Sequence, residues 1–106
     1  MKRTRQNVLD RGKILRRLRQ NRALLTRYKV RTIGLFGSFA AGTAGPQSDV
    51  DFLVDFKEPK YDNFIGLIEA LETLFGRKVE VLTPDGLNSI RVKPVAESIK
   101  RTLVYG

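Results

Sequence analysis

From about Val8 to Tyr28 the apolar residues Val8, Ile14, Leu15, Leu18, Leu24, Leu25 and Tyr28 recur at mostly helical spacing, with arginines on the opposite face. The pattern predicts an amphipathic leading helix, with Gln20-Asn21 as a candidate break into two. Arg31 to Phe36 reads as a short strand ending at Gly37, and Ser38 to Ala41 as a brief helical turn that Gly42 stops. In the next segment Val50, Phe52 and Val54 point one way, while Asp49, Asp51, Leu53 and Asp55 point the other, which predicts a second strand. Asp62 or Asn63 is the expected N-cap of a helix whose apolar stripe runs through Phe64, Leu67, Ile68, Leu71, Leu74 and Phe75 to a stop at Gly76. Lys78 to Leu82 reads as a third strand and Thr83 to Gly86 as a turn. Pro94 opens a last helix carrying Val95, Ile99 and Leu103. This order predicts an α/β (α+β) sandwich, a small mixed sheet of about three strands packed with helices, over residues 1–106 as one domain.

Composition narrows the chemistry. The chain has no cysteine and no histidine, which removes disulfides, thiolate sites and imidazole catalysis and leaves carboxylate, hydroxyl and backbone groups. No run approaches the roughly 18 apolar residues of a membrane span, and the opening residues lack the apolar stretch of a signal peptide. A soluble, cytoplasmic protein is expected, with no membrane partner. The net charge is +9 but unevenly spread: residues 1–31 hold twelve Lys and Arg against Asp10 alone, so the remainder is slightly acidic. Residues 1–30 therefore form a basic leading segment. It carries a second reading, a nucleic-acid-binding module, although Tyr28 is its sole aromatic and gives little for base stacking.

The densest chemistry lies between Gly37 and Asp51. A glycine at a strand end lets the backbone approach an anion, and the following amides with the Ser38 hydroxyl can donate to phosphate oxygens. Asp49 and Asp51, two apart on a strand, leave one face with Cα atoms about 6.5–7 Å apart. Two Mg²⁺ ions at a spacing of roughly 3.5–4 Å would relieve their repulsion. Glu80 interrupts the apolar run of Val79, Val81 and Leu82, so it points to the face where the aspartates emerge. These features make Asp49, Asp51 and Glu80 the candidate catalytic and metal-binding acids, and Gly37, Ser38 and Ser48 the candidate nucleotide-binding residues.

The stretch Gly37-Ser38, ten residues, Asp49-Val50-Asp51, continued by Phe52-Leu53-Val54, resembles the minimal nucleotidyltransferase (MNT) antitoxin family of the DNA polymerase β-like superfamily. The likeness extends from Ile33 into the motif, through Lys78-Val-Glu-Val-Leu82, to the closing Ile99 to Tyr105. It implies a polymerase β palm-like fold, Mg²⁺ on the two aspartates, the triphosphate of ATP on the Gly-Ser pair, and a third acid at Glu80. It further implies transfer of AMP to a protein hydroxyl, with a HEPN-domain toxin as partner in a homo- or hetero-oligomer. Two positions depart from the family pattern: Glu80 stands where relatives usually have Asp, and Ala41 where many have Arg. They motivate another reading, an antitoxin that acts by binding alone.

Overall fold

The computed structural model describes residues 9–106. The first helix, α1 (Arg11–Gln20), begins at Asp10, whose carboxylate accepts from the Lys13 amide at 2.9 Å as a side-chain N-cap does. Val8 and the basic residues Lys2, Arg3 and Arg5 of the expected leading helix lie outside the described residues. Asn21 separates α1 from α2 (Arg22–Arg27), so the break expected at Gln20-Asn21 is real. Ile14 and Leu18 are the residues that seat α1 on the core.

Strand β1 (Val30–Phe36) runs into the short helix α3 (Gly37–Ala41), and β2 (Val50–Phe56) follows antiparallel to β1. Helix α4 (Tyr61–Phe75) crosses back so that β3 (Val79–Leu82) pairs parallel to β2. After α5 (Pro84–Asn88) and α6 (Lys93–Thr102), β4 (Val104–Tyr105) closes the other edge antiparallel to β1. The strand order is β3-β2-β1-β4. Strand β2 is therefore internal, and Val50, Phe52 and Val54 have no exposed surface. They pack with Leu67, Leu71 and Phe75 of α4 and with Ile33 and Leu35 of β1 in one core. The Phe52 and Phe75 rings lie 6.0 Å apart.

The mixed α/β architecture agrees with the sequence, with three differences. The sheet has four strands rather than about three: Leu103 leaves the last helix as its C-cap, and the chain turns extended to pair Val104 with Leu35 and Tyr105 with Gly34. Gly34 makes room for that edge, since a Cβ there would come within 2.7 Å of the Leu103 side chain. The expected turn at Thr83 to Gly86 is the start of α5, because the Thr83 hydroxyl caps it by accepting from the Gly86 amide at 3.2 Å. Helix α4 starts earlier than expected, with Lys60 rather than Asp62 or Asn63 at its N-cap and no side-chain cap bond. Among the described residues no helix is long and apolar enough to cross a membrane.

Candidate active site

The site is assembled at one end of the sheet by strand register. Asp51 on β2 lies opposite Phe36 at the end of β1 and opposite Glu80 on β3. One row across three strands therefore brings the last residue before Gly37, the second aspartate and the glutamate together. Glu80 is exposed while Val79 beside it is buried, so the glutamate emerges on the face its position predicted. Asp49 immediately precedes β2 and is fixed from its far side by the Val50 amide, which donates to the Lys78 carbonyl at 3.0 Å.

Gly37 is the hinge of this arrangement. Its φ of +77° is left-handed, and a Cβ there would collide with the Asp51 carboxylate. Only a glycine lets the backbone turn from β1 into α3 directly against that acid. Ser38 follows in the first turn of α3, which ends at Gly42 with φ +81°. The Ser48 hydroxyl accepts from the Gly45 amide at 2.8 Å, so it also staples the loop between α3 and β2.

Electrostatics single out Asp51. Burial, then the charge of Glu80, then that of Asp49 push its carboxyl up from 3.8 to about 6. Such a cluster holds excess negative charge that a cation relieves. Among the described residues no three acids come close enough to enclose an ion alone. Mg²⁺ takes one or two carboxylates and completes its octahedron with water and phosphate oxygens. An open row of acids beside the Gly37 turn leaves the other positions on such an ion to water and phosphate oxygens.

Two residues at the site were not singled out from sequence. The Thr102 hydroxyl at the end of α6 accepts from the Gly37 amide at 3.2 Å. Arg77, just after α4, donates to the carbonyls of Ser48 at 2.9 Å, Pro46 at 3.2 Å and Gly45 at 3.4 Å. No sequence signal marks either, because their partners are backbone groups far away in the chain. Several basic residues within residues 9–31 are engaged by the rest of the molecule. Arg11 donates to the Ala40 carbonyl at 2.9 Å, Arg17 to that of Leu74 at 3.4 Å, and Arg31 pairs with Asp55 at 3.2 Å.

A glycine turn set against a row of acids at the end of a mixed sheet is the arrangement of a nucleotidyltransferase palm. The nucleotidyltransferase domain family model matches residues 15–105. The chain is 43% identical over 83 residues to the protein adenylyltransferase MntA of Thermococcus cleftensis, spanning 77% of this chain and 80% of that one. A solved structure described as a candidate minimal nucleotidyltransferase superposes with a TM-score of 0.70 at 27% identity, covering 91% of this chain and 95% of its own. A toxin–antitoxin complex with AMP-PNP shares the fold, with a TM-score of 0.61 at 21% identity over 82% of this chain and 69% of that chain. The chain belongs to the nucleotidyltransferase family, in its minimal nucleotidyltransferase branch, and is an enzyme of that class.

Proposed function

We propose that this chain transfers AMP from ATP to a hydroxyl of a protein partner, and that this partner is the toxin of a toxin–antitoxin pair, of the HEPN-domain type. The observation that carries the reading is the placement of Asp51, in register with Glu80, beside Asp49 and against the backbone of Gly37. The adenylyltransferase name of the Thermococcus cleftensis relative and the toxin–antitoxin complex with the same fold support the acceptor class. The open sheet end supports it too, because an acid row that is not enclosed meets a macromolecular acceptor more readily than a small one.

In this reading the Ser38 hydroxyl and the amides opening α3 hold the outer phosphates by charge-assisted hydrogen bonds. Asp49, Asp51 and Glu80 are the groups that would hold Mg²⁺, which when bound neutralises phosphate charge and lowers the pKa of an acceptor hydroxyl. The acceptor oxygen bonds to the α-phosphorus as the bond to pyrophosphate breaks, and Glu80, the exposed acid, takes the hydroxyl proton. Ser48 acts by holding its loop and, through its own proton, as a phosphate donor.

The test is transfer from α-labelled ATP to a protein that co-purifies with this chain, starting with the product of its genomic neighbour, for wild type and Asp49→Asn. Label on that protein, reduced at least about 100-fold by the substitution, is expected from the loss of one metal-holding carboxylate. Undiminished transfer by Asp49→Asn sinks the assignment. A stable complex that neutralises the toxin with no added AMP favours action by binding alone, the reading that Ala41 and Glu80 motivate.

A further inference from the structure

Asp49 sits between two anchored backbone groups, and the anchors come from two adjacent residues, Arg77 and Lys78. The Ser48 carbonyl before it accepts from the Arg77 guanidinium at 2.9 Å, and the Val50 amide after it donates to the Lys78 carbonyl at 3.0 Å. The same Nη1 of Arg77 reaches the Pro46 and Gly45 carbonyls, so one side chain gathers the last turn of the loop that delivers Asp49. The guanidinium also lies over the Phe39 ring, 5.2 Å from its centroid. Phe39 is buried in α3, one residue after Ser38. We propose that Arg77 is the positioning residue that locks the Asp49 loop onto the phosphate-turn helix, so that carboxylate and phosphate turn keep a fixed separation.

The chemistry of arginine suits this. A planar guanidinium donates in its plane to several carbonyls while its face stacks on an aromatic ring; an ammonium has no plane to stack and concentrates its charge at one point. Neither contact of Arg77 uses an acid, so its role is geometric. Geometry matters here because Mg²⁺ accepts little departure from octahedral ligand positions, and misplacing a reacting group by about 1 Å costs on the order of 100-fold in rate.

The inference rests on the proposed carboxylate site, and the experiment separates the two. In the full chain, binding of a fluorescent ATP analogue is titrated with Mg²⁺ for wild type, Asp49→Asn, Arg77→Met, Arg77→Lys and Phe39→Leu. Hydrogen exchange of the Ser48, Asp49 and Val50 amides is followed in parallel. Arg77→Met is expected to raise the Mg²⁺ concentration for half-saturation about ten-fold and to speed exchange at these amides. Arg77→Lys should recover thermal stability but less than half of the Mg²⁺ affinity, a split that a purely structural arginine would not produce. Phe39→Leu removes the ring beneath the guanidinium but keeps an apolar side chain and the carbonyl contacts, and gives a smaller shift of about three-fold; it serves as the readout where Arg77→Met fails to fold. Wild-type Mg²⁺ dependence in Arg77→Met and Phe39→Leu overturns the proposal alone. Wild type binding no better than Asp49→Asn overturns the carboxylate site and the Arg77 role with it.

Discussion

Two elements meet at Gly37 from opposite sides, and they could hardly be packed more differently. Strand β2 brings Asp51 against it and is internal to the sheet, with Val50, Phe52 and Val54 wholly buried. Helix α6 brings Thr102 to its amide, yet has no buried residue, and Val95 is 49% exposed. The carboxylate side of the site is thus built into the core, while the other wall is held by a hydrogen bond, a two-residue strand and a partly covered apolar face. Acids that must keep a cation geometry belong on the element that moves least. A wall with no buried residue opens at smaller cost than one built into the core. The groove between α6 and Gly37, about 320 Å³ and lined by Phe36, Pro94, Val95, Ser98, Ile99 and Thr102, is the space this leaves.

The contrast is broken most forcefully by truncating an apolar side chain on each element. Phe52→Ala in β2 opens a cavity beneath the aspartates, in contact with the Phe75 ring, and is expected to cost about 3–5 kcal/mol in denaturant unfolding. Val95→Ala on α6 removes exposed surface and is expected to stay within about 0.5 kcal/mol. Similar losses at both positions would show that α6 is as much part of the core as β2.

Gly37→Ala strikes where the two elements meet. The left-handed backbone alone costs an alanine about 1–2 kcal/mol, and the new Cβ must also displace the Asp51 carboxylate. Nucleotide binding is therefore expected to fall more than stability, as read by isothermal titration beside thermal melting. Stability loss with intact binding would mean that the turn does not set the position of the acid.

How far the sequence reveals this contrast depends on the origin of each contact. The pattern of β2 is legible because alternation and Asp spacing are local, and the structure places Asp51 and Glu80 on one row with Phe36, the residue before Gly37. Strand β4 was not legible, since two residues carry no periodicity and their strand conformation exists only by pairing with Gly34 and Leu35. Thr83 reads equally as a turn residue or as a helix cap, and only the Gly86 amide decides between them. Arg77 and Thr102 were invisible for a further reason. A polar side chain whose partners are backbone groups 29 to 65 residues away leaves no mark in spacing or composition.

Acidity offers a gentler probe of the β2 side. Between pH 3.8 and about 6 the unfolded chain has released the Asp51 proton while the folded, metal-free chain retains it. Asp51 therefore makes stability fall as pH rises through that window and contributes a constant penalty above it. Mg²⁺ requires the ionised carboxylate, so its apparent affinity is expected to weaken below pH about 6, by up to about ten-fold per unit. Melting in chelator and magnesium titration from about pH 4.5 to about pH 7.5 read the two trends. Asp51→Asn should flatten this component of both, and an unchanged slope would place the perturbed group elsewhere.

The smallest effect tests the α6 side. Thr102→Val keeps the shape of the side chain but leaves the Gly37 amide without its acceptor, a loss of about 0.5–1.5 kcal/mol. The hydroxyl in wild type also donates back to the Ser98 or Ile99 carbonyl, both at 3.2 Å, so it is held in place as an acceptor by its own helix. If the compliant wall is coupled to the phosphate turn through this bond, the substitution raises the nucleotide KM by about 2–10-fold with little change in kcat. Thr102→Ser, which keeps the hydroxyl, should behave as wild type. A Thr102→Val enzyme with unchanged KM would mean that β2 alone sets the turn, and that α6 touches Gly37 without governing it.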